Sequence, residues 1–502
     1  MSRQWGQPVH WARPAWLLLG MGILAGGVLR FVRIGELALI GDESYYWLWS
    51  RNLDWAYFDH PAGVALMVRL STALGGESEA GIRWLNALLG ASCILLVYLL
   101  GAQMLSKRAG VFAALVVALA APYLVTSRFV YTDALQLALM LLNLLLFWLL
   151  VEERPRLRLG MAVAFGLSLV LLFNTKYNAY LYALALILFV LLERRQLLRE
   201  GRFWLGWGLG ALGLLPVVMW NASHEWVSFR WQLAHLGFTL TGSTSLLGSA
   251  AHGLAYLSWP LVLLALVGLV GVAVERKRRS SERLLTLVAL VLLLPVALSP
   301  ANSPRNLSTG LVLLLLLTGE RWPQALTTRR QRWTAGLLAA GVVLVALYGV
   351  GTVVNLVRSL AWPASSIVPA IQRDAAGWRE LGLALAEYPE PVYALDYSIA
   401  SQIHYYGERE ALSAWGQYRL WGIPEFDDVT IASLDYLPEE LVSNRLGQAF
   451  REVEGPRFFT FQEGSVAKEV RIWQAEGRLV DLQTFLQWFD FLNLLEAARE
   501  SP

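Results

Sequence analysis

Eleven long apolar runs decide most of what this chain can fold into. They fall at roughly 14–33, 84–105, 109–127, 134–151, 157–173, 177–193, 203–220, 250–274, 283–299, 307–320 and 333–357. A bilayer crossing needs about 20 mostly apolar residues. In hydrocarbon such a run hides its backbone polar groups by becoming a helix. The sequence therefore predicts a polytopic α-helical membrane protein with about eleven transmembrane helices. The residue balance agrees: 56% are hydrophobic and only 16% charged, against about 25% charged in a soluble domain. The same figures exclude disorder, collagen-like repeats and coiled coil. The first run is too long and too poorly flanked for a cleaved signal peptide.

Charge changes where the runs end. A net charge of +3 divides into +14 over residues 1–358 and −11 over 359–502. The basic residues of the first part lie in short segments between apolar runs, which is not the footprint of a nucleic-acid-binding surface. With the N-terminus in the cytoplasm, 20 of the 29 Lys and Arg up to position 357 fall on the cytoplasmic side. Among them are Arg3, Lys107, Arg108, Arg154, Arg156, the cluster from Arg276 to Arg279, and Arg321. The opposite orientation would break the positive-inside rule. Two domains are expected: a transmembrane domain over 1–358, and a soluble α/β domain over 359–502 outside the cytoplasm. In a Gram-negative cell that means the inner membrane, with the second domain in the periplasm. Strands are expected near 391–397, 457–461 and 469–473, and a helix over 379–387. Cys93 is the only cysteine, so neither an internal disulfide nor a cysteine metal site can form.

The residues that could carry chemistry are polar ones at the run ends. They are Asp42 and Glu43 before Tyr45, Asp59 and His60, Arg128 and Asp133, Lys176 and Tyr177, and Arg305. This topology puts all of them on the outer side. An ionisable group at a membrane boundary is costly unless paired or wet, so the sequence predicts one polar cleft at the outer interface. Taken singly, Lys176, Arg128 or Arg305 could equally be a snorkelling anchor. Asp42, Glu43 and Asp133 gain nothing from anionic headgroups. A transporter would instead place charges near the midplane of broken helices, and these runs almost lack them. A transporter or flippase of lipid-linked sugars is nonetheless the alternative reading.

These residues also carry a resemblance. Asp42-Glu43 followed by Tyr45-Tyr46-Trp47, Tyr57-Phe58-Asp59-His60-Pro61, Thr132-Asp133-Ala134, Thr175-Lys176-Tyr177, and Trp220-Asn221 through Gln232 occur in order. In this the sequence resembles the GT-C glycosyltransferases, specifically glycosyltransferase family 39 and its bacterial relatives. Those include dolichyl-phosphate-mannose protein mannosyltransferases and aminoarabinose transferases acting on lipid A. The resemblance implies a polyprenyl-phosphate-linked sugar donor and an acceptor hydroxyl on a lipid, glycan or protein, in contact with membrane lipids. It implies Asp42 as catalytic base, Asp133 as the second acid and His60 as a contact of the lipid phosphate. Asp59 matches an acid that binds a divalent metal ion in at least one relative. Many relatives have an aromatic-proline motif where this chain has residues 300–306, so the resemblance lends Arg305 no role.

The expected reaction is one inverting displacement. Adjacent residues on a helix diverge by about 100°, so Asp42 and Glu43 cannot both face the acceptor. Asp42 is the expected base, with Glu43 or Asp133 orienting the acceptor. A phosphate leaving group needs cations, and Lys176, His60, Arg128 and Arg305 are the candidates. Tyr45, Asp59 and Tyr177 complete the expected substrate-binding set. No G-x-G-x-x-G or P-loop pattern suggests a nucleotide site.

Overall fold

A computed structural model describes residues 13–152, 158–234, 256–275, 278–298, 304–323, 326–358, 366–463 and 466–500. Arg3, Arg154, Arg156, Arg276, Lys277 and residues 250–255, 300–303 and 359–365 of the sequence reading lie outside them. The first half of the helical part comprises α1 (Arg13–Leu29), α2 (Gly41–Arg51), α3 (Gly63–Gly75), α4 (Glu79–Met104), α5 (Lys107–Leu119), α6 (Ala121–Arg128), α7 (Thr132–Val151) and α8 (Arg158–Phe173). The second half comprises α9 (Ala179–Glu193), α10 (Gly201–Ala211), α11 (Leu214–Ser223), α12 (Val227–Leu233), α13 (Trp259–Val274), α14 (Ser280–Leu298), α15 (Ser308–Glu320) and α16 (Arg329–Arg358). Each apolar run falls on one helix or on a broken pair. By length and composition, four stretches can cross a bilayer among the described residues, or five if the bent α5–α6 pair counts as one. The protein is a multi-pass membrane protein.

Two local features shape the end of the bundle that matters. The chain turns by 59° between α5 and α6, where Ala120 is extended and Pro122 opens α6. Proline has no amide to continue the ladder of α5 but suits a first helical turn. Secondly, α15 is only 13 residues long and buried on every side from Ser308 to Gly319. A helix apolar all round belongs in the interior. Neighbours approach it closely through small residues. A Cβ on Gly268 would lie 2.3 Å from the Leu314 carbonyl oxygen, the packing typical of membrane helices. At the far end of the bundle Arg279 pairs with Glu320 at 2.6 Å and Arg283 with Glu193 at 2.5 Å.

The C-terminal part runs α17 (Ile367–Ala375), α18 (Trp378–Ala384), β1 (Val392–Ala394), α19 (Tyr397–Gly407), β2 (Ala411–Leu412), α20 (Gln417–Trp421), β3 (Val429–Leu434), α21 (Glu439–Ala449), β4 (Phe450–Glu463), β5 (Val466–Arg478), α22 (Leu482–Trp488) and α23 (Phe491–Glu500). The sheet order is β2-β1-β3-β5-β4. β1 pairs in parallel with β2 and β3, and β5 antiparallel with β3 and β4. The expected strands are there, but two belong to one long hairpin, and β2 and β3 add to them. Side chains alternate across β1. Tyr393 and Leu395 join Ile431, Trp473 and Phe485 on one face. Val392 and Ala394 face the other way, into a core shared with Tyr45, Trp49 and Val64 of α2 and α3. The sheet thus rests directly on the helices that hold the acidic pair.

Candidate active site

The two adjacent carboxylates of α2 go to different partners, as helix geometry requires. Glu43 is fully buried. It receives Arg83 Nε at 2.8 Å and Nη2 at 2.6 Å, and the amides of Ile40 at 3.1 Å and Val130 at 2.8 Å. Arg83 spends its other contacts on the carbonyls of Ile34, Leu37 and Ala38, each at 2.8 Å. A paired charge with all its hydrogen bonds made is the form in which burial is tolerated. Glu43 therefore does not enter the cleft, contrary to expectation. It ties the start of α2 to the segment leading into α7.

Asp42 takes the other direction. Its Oδ2 lies 3.3 Å from Arg305 Nη1, and its Oδ1 accepts the Tyr397 hydroxyl at 3.0 Å. Arg305 Nε in turn lies 3.8 Å from Asp133 Oδ2. Asp133 Oδ1 accepts Lys176 Nζ at 3.0 Å, and Lys176 also donates to Asn306 Oδ1 at 2.6 Å. Asp133 sits in the first turn of α7, where a helix end favours negative charge. Residues from four separate segments, at 42, 133, 176 and 305, thus form one chain of opposite charges at one end of the bundle.

Asp59 and His60 sit on a tight turn closed by the Ala56–Pro61 bridge and the Tyr57 amide on the His60 carbonyl at 2.9 Å. Asp54, Tyr57 and Asp59 are held from α11 and α12 by Trp220 Nε1, Ser228 Oγ and Gln232 Nε2, at 2.8, 2.8 and 2.9 Å. The turn meets the Lys176 segment at Gly63, whose amide donates to Asn174 O at 2.7 Å. A Cβ there would lie 2.3 Å from that oxygen, which explains the glycine. Burial, and then the charge of Asp42, pushes the Asp59 carboxyl up to about 7. The buried Asp59 Oδ1 has no hydrogen-bond partner among the described residues. No group of three or more His, Cys, Asp or Glu side chains suited to a metal ion occurs among them. The described residues thus do not supply such a ligand set for a divalent ion at Asp59.

Two further expected residues stand apart from the charge chain. Arg128 is buried away from the charge chain, its Nη1 on the carbonyl of Leu29 at 2.6 Å. The bend before α6 turns its side chain toward α1. Tyr45 is buried under the C-terminal part, its hydroxyl accepting the Gln417 amide at 2.6 Å. Tyr177 stands beside Lys176 with its ring 5.3 Å from Phe229. The structure adds three residues to the expected site set: Tyr397, Asn306 and Tyr131, whose ring lies 4.2 Å from the Arg305 guanidinium. One signal for Tyr397 was available. It follows a strand directly and opens a helix capped by Asp396, and ligand sites favour the carboxyl ends of parallel strands.

Residues 59–220 match the family profile described as dolichyl-phosphate-mannose-protein mannosyltransferase. Lipid A galacturonosyltransferase RgtD of Rhizobium johnstonii is 27% identical over 308 residues, which is 57% of this chain and 62% of that protein. The crystal structure of ArnT from Cupriavidus metallidurans bound to undecaprenyl phosphate superposes with a TM-score of 0.60. That match covers 92% of this chain and 98% of the other at 16% identity. By fold the chain is similar to ArnT along nearly its whole length. Another protein of similar fold is the oligosaccharyltransferase of Archaeoglobus fulgidus. Its TM-score is 0.53 at 12% identity, covering 80% of this chain and 64% of that one.

Proposed function

We propose that this GT-C chain transfers a sugar from a polyprenyl-phosphate-linked donor to an acceptor hydroxyl, on the face of the membrane where the charge chain opens. The observation that carries the reading is the meeting of Asp42, Asp133, Lys176 and Arg305 at one end of the bundle. The acceptor oxygen attacks the anomeric carbon and its proton passes to Asp42. The carbon–oxygen bond to phosphate breaks, and its electron pair leaves with the polyprenyl phosphate. Configuration at carbon inverts. A positioned base contributes typically about 10²–10⁴-fold. The leaving phosphate needs no proton, only cations aimed at it, and Lys176 and Arg305 are the two in place. His60, on its turn beside them, is a third.

The names of the relatives support this choice of substrates. One is a lipid A galacturonosyltransferase and another was crystallised with undecaprenyl phosphate. A lipid-linked donor and a lipid A-type acceptor follow by analogy. Residues 1–358 would be the transmembrane catalytic domain and 359–502 an extracytoplasmic domain. The positive-inside pattern supports an inner-membrane location with the site on the periplasmic side. The transporter reading lacks support, since the charges sit at helix ends and not at the midplane.

The experiment is Asp42→Asn, assayed for sugar transfer from polyprenyl-phosphate donor to lipid A in detergent. The expected loss is about 10²-fold or more, with an unchanged melting temperature to show that the fold is intact. Near-wild-type transfer would remove Asp42 as the base.

A further inference from the structure

Two arginines beside the acidic pair are held in opposite ways. Arg83 is fully buried, and every contact it makes to Glu43 and to backbone carbonyls is between 2.6 and 2.8 Å. It is built to stay. Arg305 is not. Its contact to Asp42 is 3.3 Å and its contact to Asp133 is 3.8 Å. Its buried Nε has no hydrogen-bond partner among the described residues, and neither has Asp133 Oδ2. The guanidinium lies over the Tyr131 ring, a surface on which a planar cation can slide while keeping its attraction. The backbone beneath it is a four-residue 3-10 turn, Pro304–Leu307.

Lys176 differs again. It is tied to Asp133 at 3.0 Å and to Asn306 at 2.6 Å, so it is the less mobile cation of the two. Meanwhile both oxygens of Asp42 carry a donor, Arg305 on Oδ2 and Tyr397 on Oδ1. Part of the accepting capacity of that carboxylate is thus already used before an acceptor hydroxyl arrives.

We propose that Arg305 is a cap on the base which the donor's own phosphate removes. A phosphodiester offers two oxygens to the planar guanidinium fork, a better match than the single long contact to Asp42. Arg305 then leaves Asp42 Oδ2 for the phosphate. The freed oxygen can accept the acceptor's proton, while Tyr397 keeps Oδ1 and so preserves the orientation of the carboxylate. One residue thereby couples donor binding to base activation, and the donor must bind before the acceptor can be activated. This rests on Asp42 being the base.

The test is a cryo-EM structure of the full-length protein in nanodiscs with a saturating polyprenyl phosphate. Arg305 is expected on the phosphate oxygens and more than about 4 Å from Asp42 Oδ2, beyond ion-pair reach, with Tyr397 still on Oδ1. Arg305 remaining on Asp42 while other cations hold the phosphate overturns the proposal. Kinetics give an independent reading. Arg305→Gln should raise the donor KM roughly tenfold or more, as loss of a charge-assisted bidentate contact does, and Arg305→Lys should recover part of it. An unchanged donor KM in Arg305→Gln also overturns the proposal. Asp42→Asn separates the two layers. An active variant refutes the base itself, whereas an inactive one together with an immobile Arg305 refutes only the cap.

Discussion

Asp59 shows how a single carboxyl at this site can be followed from outside. Burial and Asp42 hold its folded-state value at about 7, while an unfolded Asp titrates near 3.9. The folded protein therefore keeps a proton that the unfolded chain has lost. The stabilisation is complete below about pH 4 and is lost as pH rises toward about 7. In that window stability falls by up to about 1.4 kcal/mol per pH unit from this group alone, and it is level above. Asp59→Asn abolishes that slope. Melting curves of both proteins in detergent at about pH 4.5, 6 and 8 should show the variant gaining on wild type up to pH 7 and then keeping a constant lead. A difference that does not vary with pH would show that Asp59 is ionised throughout. The resemblance points to position 59 but cannot supply this behaviour, because the segments that hold its turn, α11 and α12 among them, come from far along the chain.

At the scale of elements, Arg83 and Glu43 fasten α4, α2 and the approach to α7 into one frame. Removing one partner of a buried pair leaves the other charge stranded, at a cost of about 3–5 kcal/mol. Arg83→Met should therefore lower the melting temperature sharply, whereas Arg83→Met with Glu43→Gln should recover much of the loss. Thermal melts of the two single variants and the double variant measure the coupling, and strict additivity would deny that they act as a pair. This frame was only partly legible in the sequence. The acidic pair was visible, and so was the divergence of its two side chains, because a 100° step is local geometry. Arg83 was not, since it lies 40 residues beyond Glu43, at the edge of the second apolar run, and nothing local announces its partner. Arg128 misled for a related reason. It stands close to Asp133 in sequence, but α6 ends and the chain turns at Phe129 and Val130 before α7 begins, so the two side chains part. Tyr397 comes from the other half of the protein altogether, and only the seating of α19 on α2 brings it to Asp42. That seating is close: a Cβ on Gly41 would lie 2.4 Å from that of Ser398. Gly41→Ala should push α19 back, lengthen the Tyr397 contact and reduce transfer more than stability, as activity assays set beside melting curves would reveal.

For the whole molecule, the apolar runs were readable because the bilayer punishes any other arrangement of backbone polar groups. Which end faces which compartment is a separate matter, carried by the uneven distribution of Arg and Lys. The protein is well suited to a direct test. Cys93 is its only cysteine and is 1% exposed, so an introduced cysteine would report against little background. Asp427 lies exposed in the C-terminal part, and Arg332 lies exposed at the start of α16. Of the described elements between them, α16 alone is long and apolar enough to cross a bilayer. In spheroplasts a membrane-impermeant maleimide should label Asp427→Cys at once, and Arg332→Cys only after lysis. The reverse pattern would turn the protein over and put the charge chain in the cytoplasm. Labelling of both from the same side would mean that α16 does not cross. Opposite labelling fixes the direction of α16, and with it the compartment of Asp42, since Tyr397 reaches that carboxylate from the same part of the chain that holds Asp427.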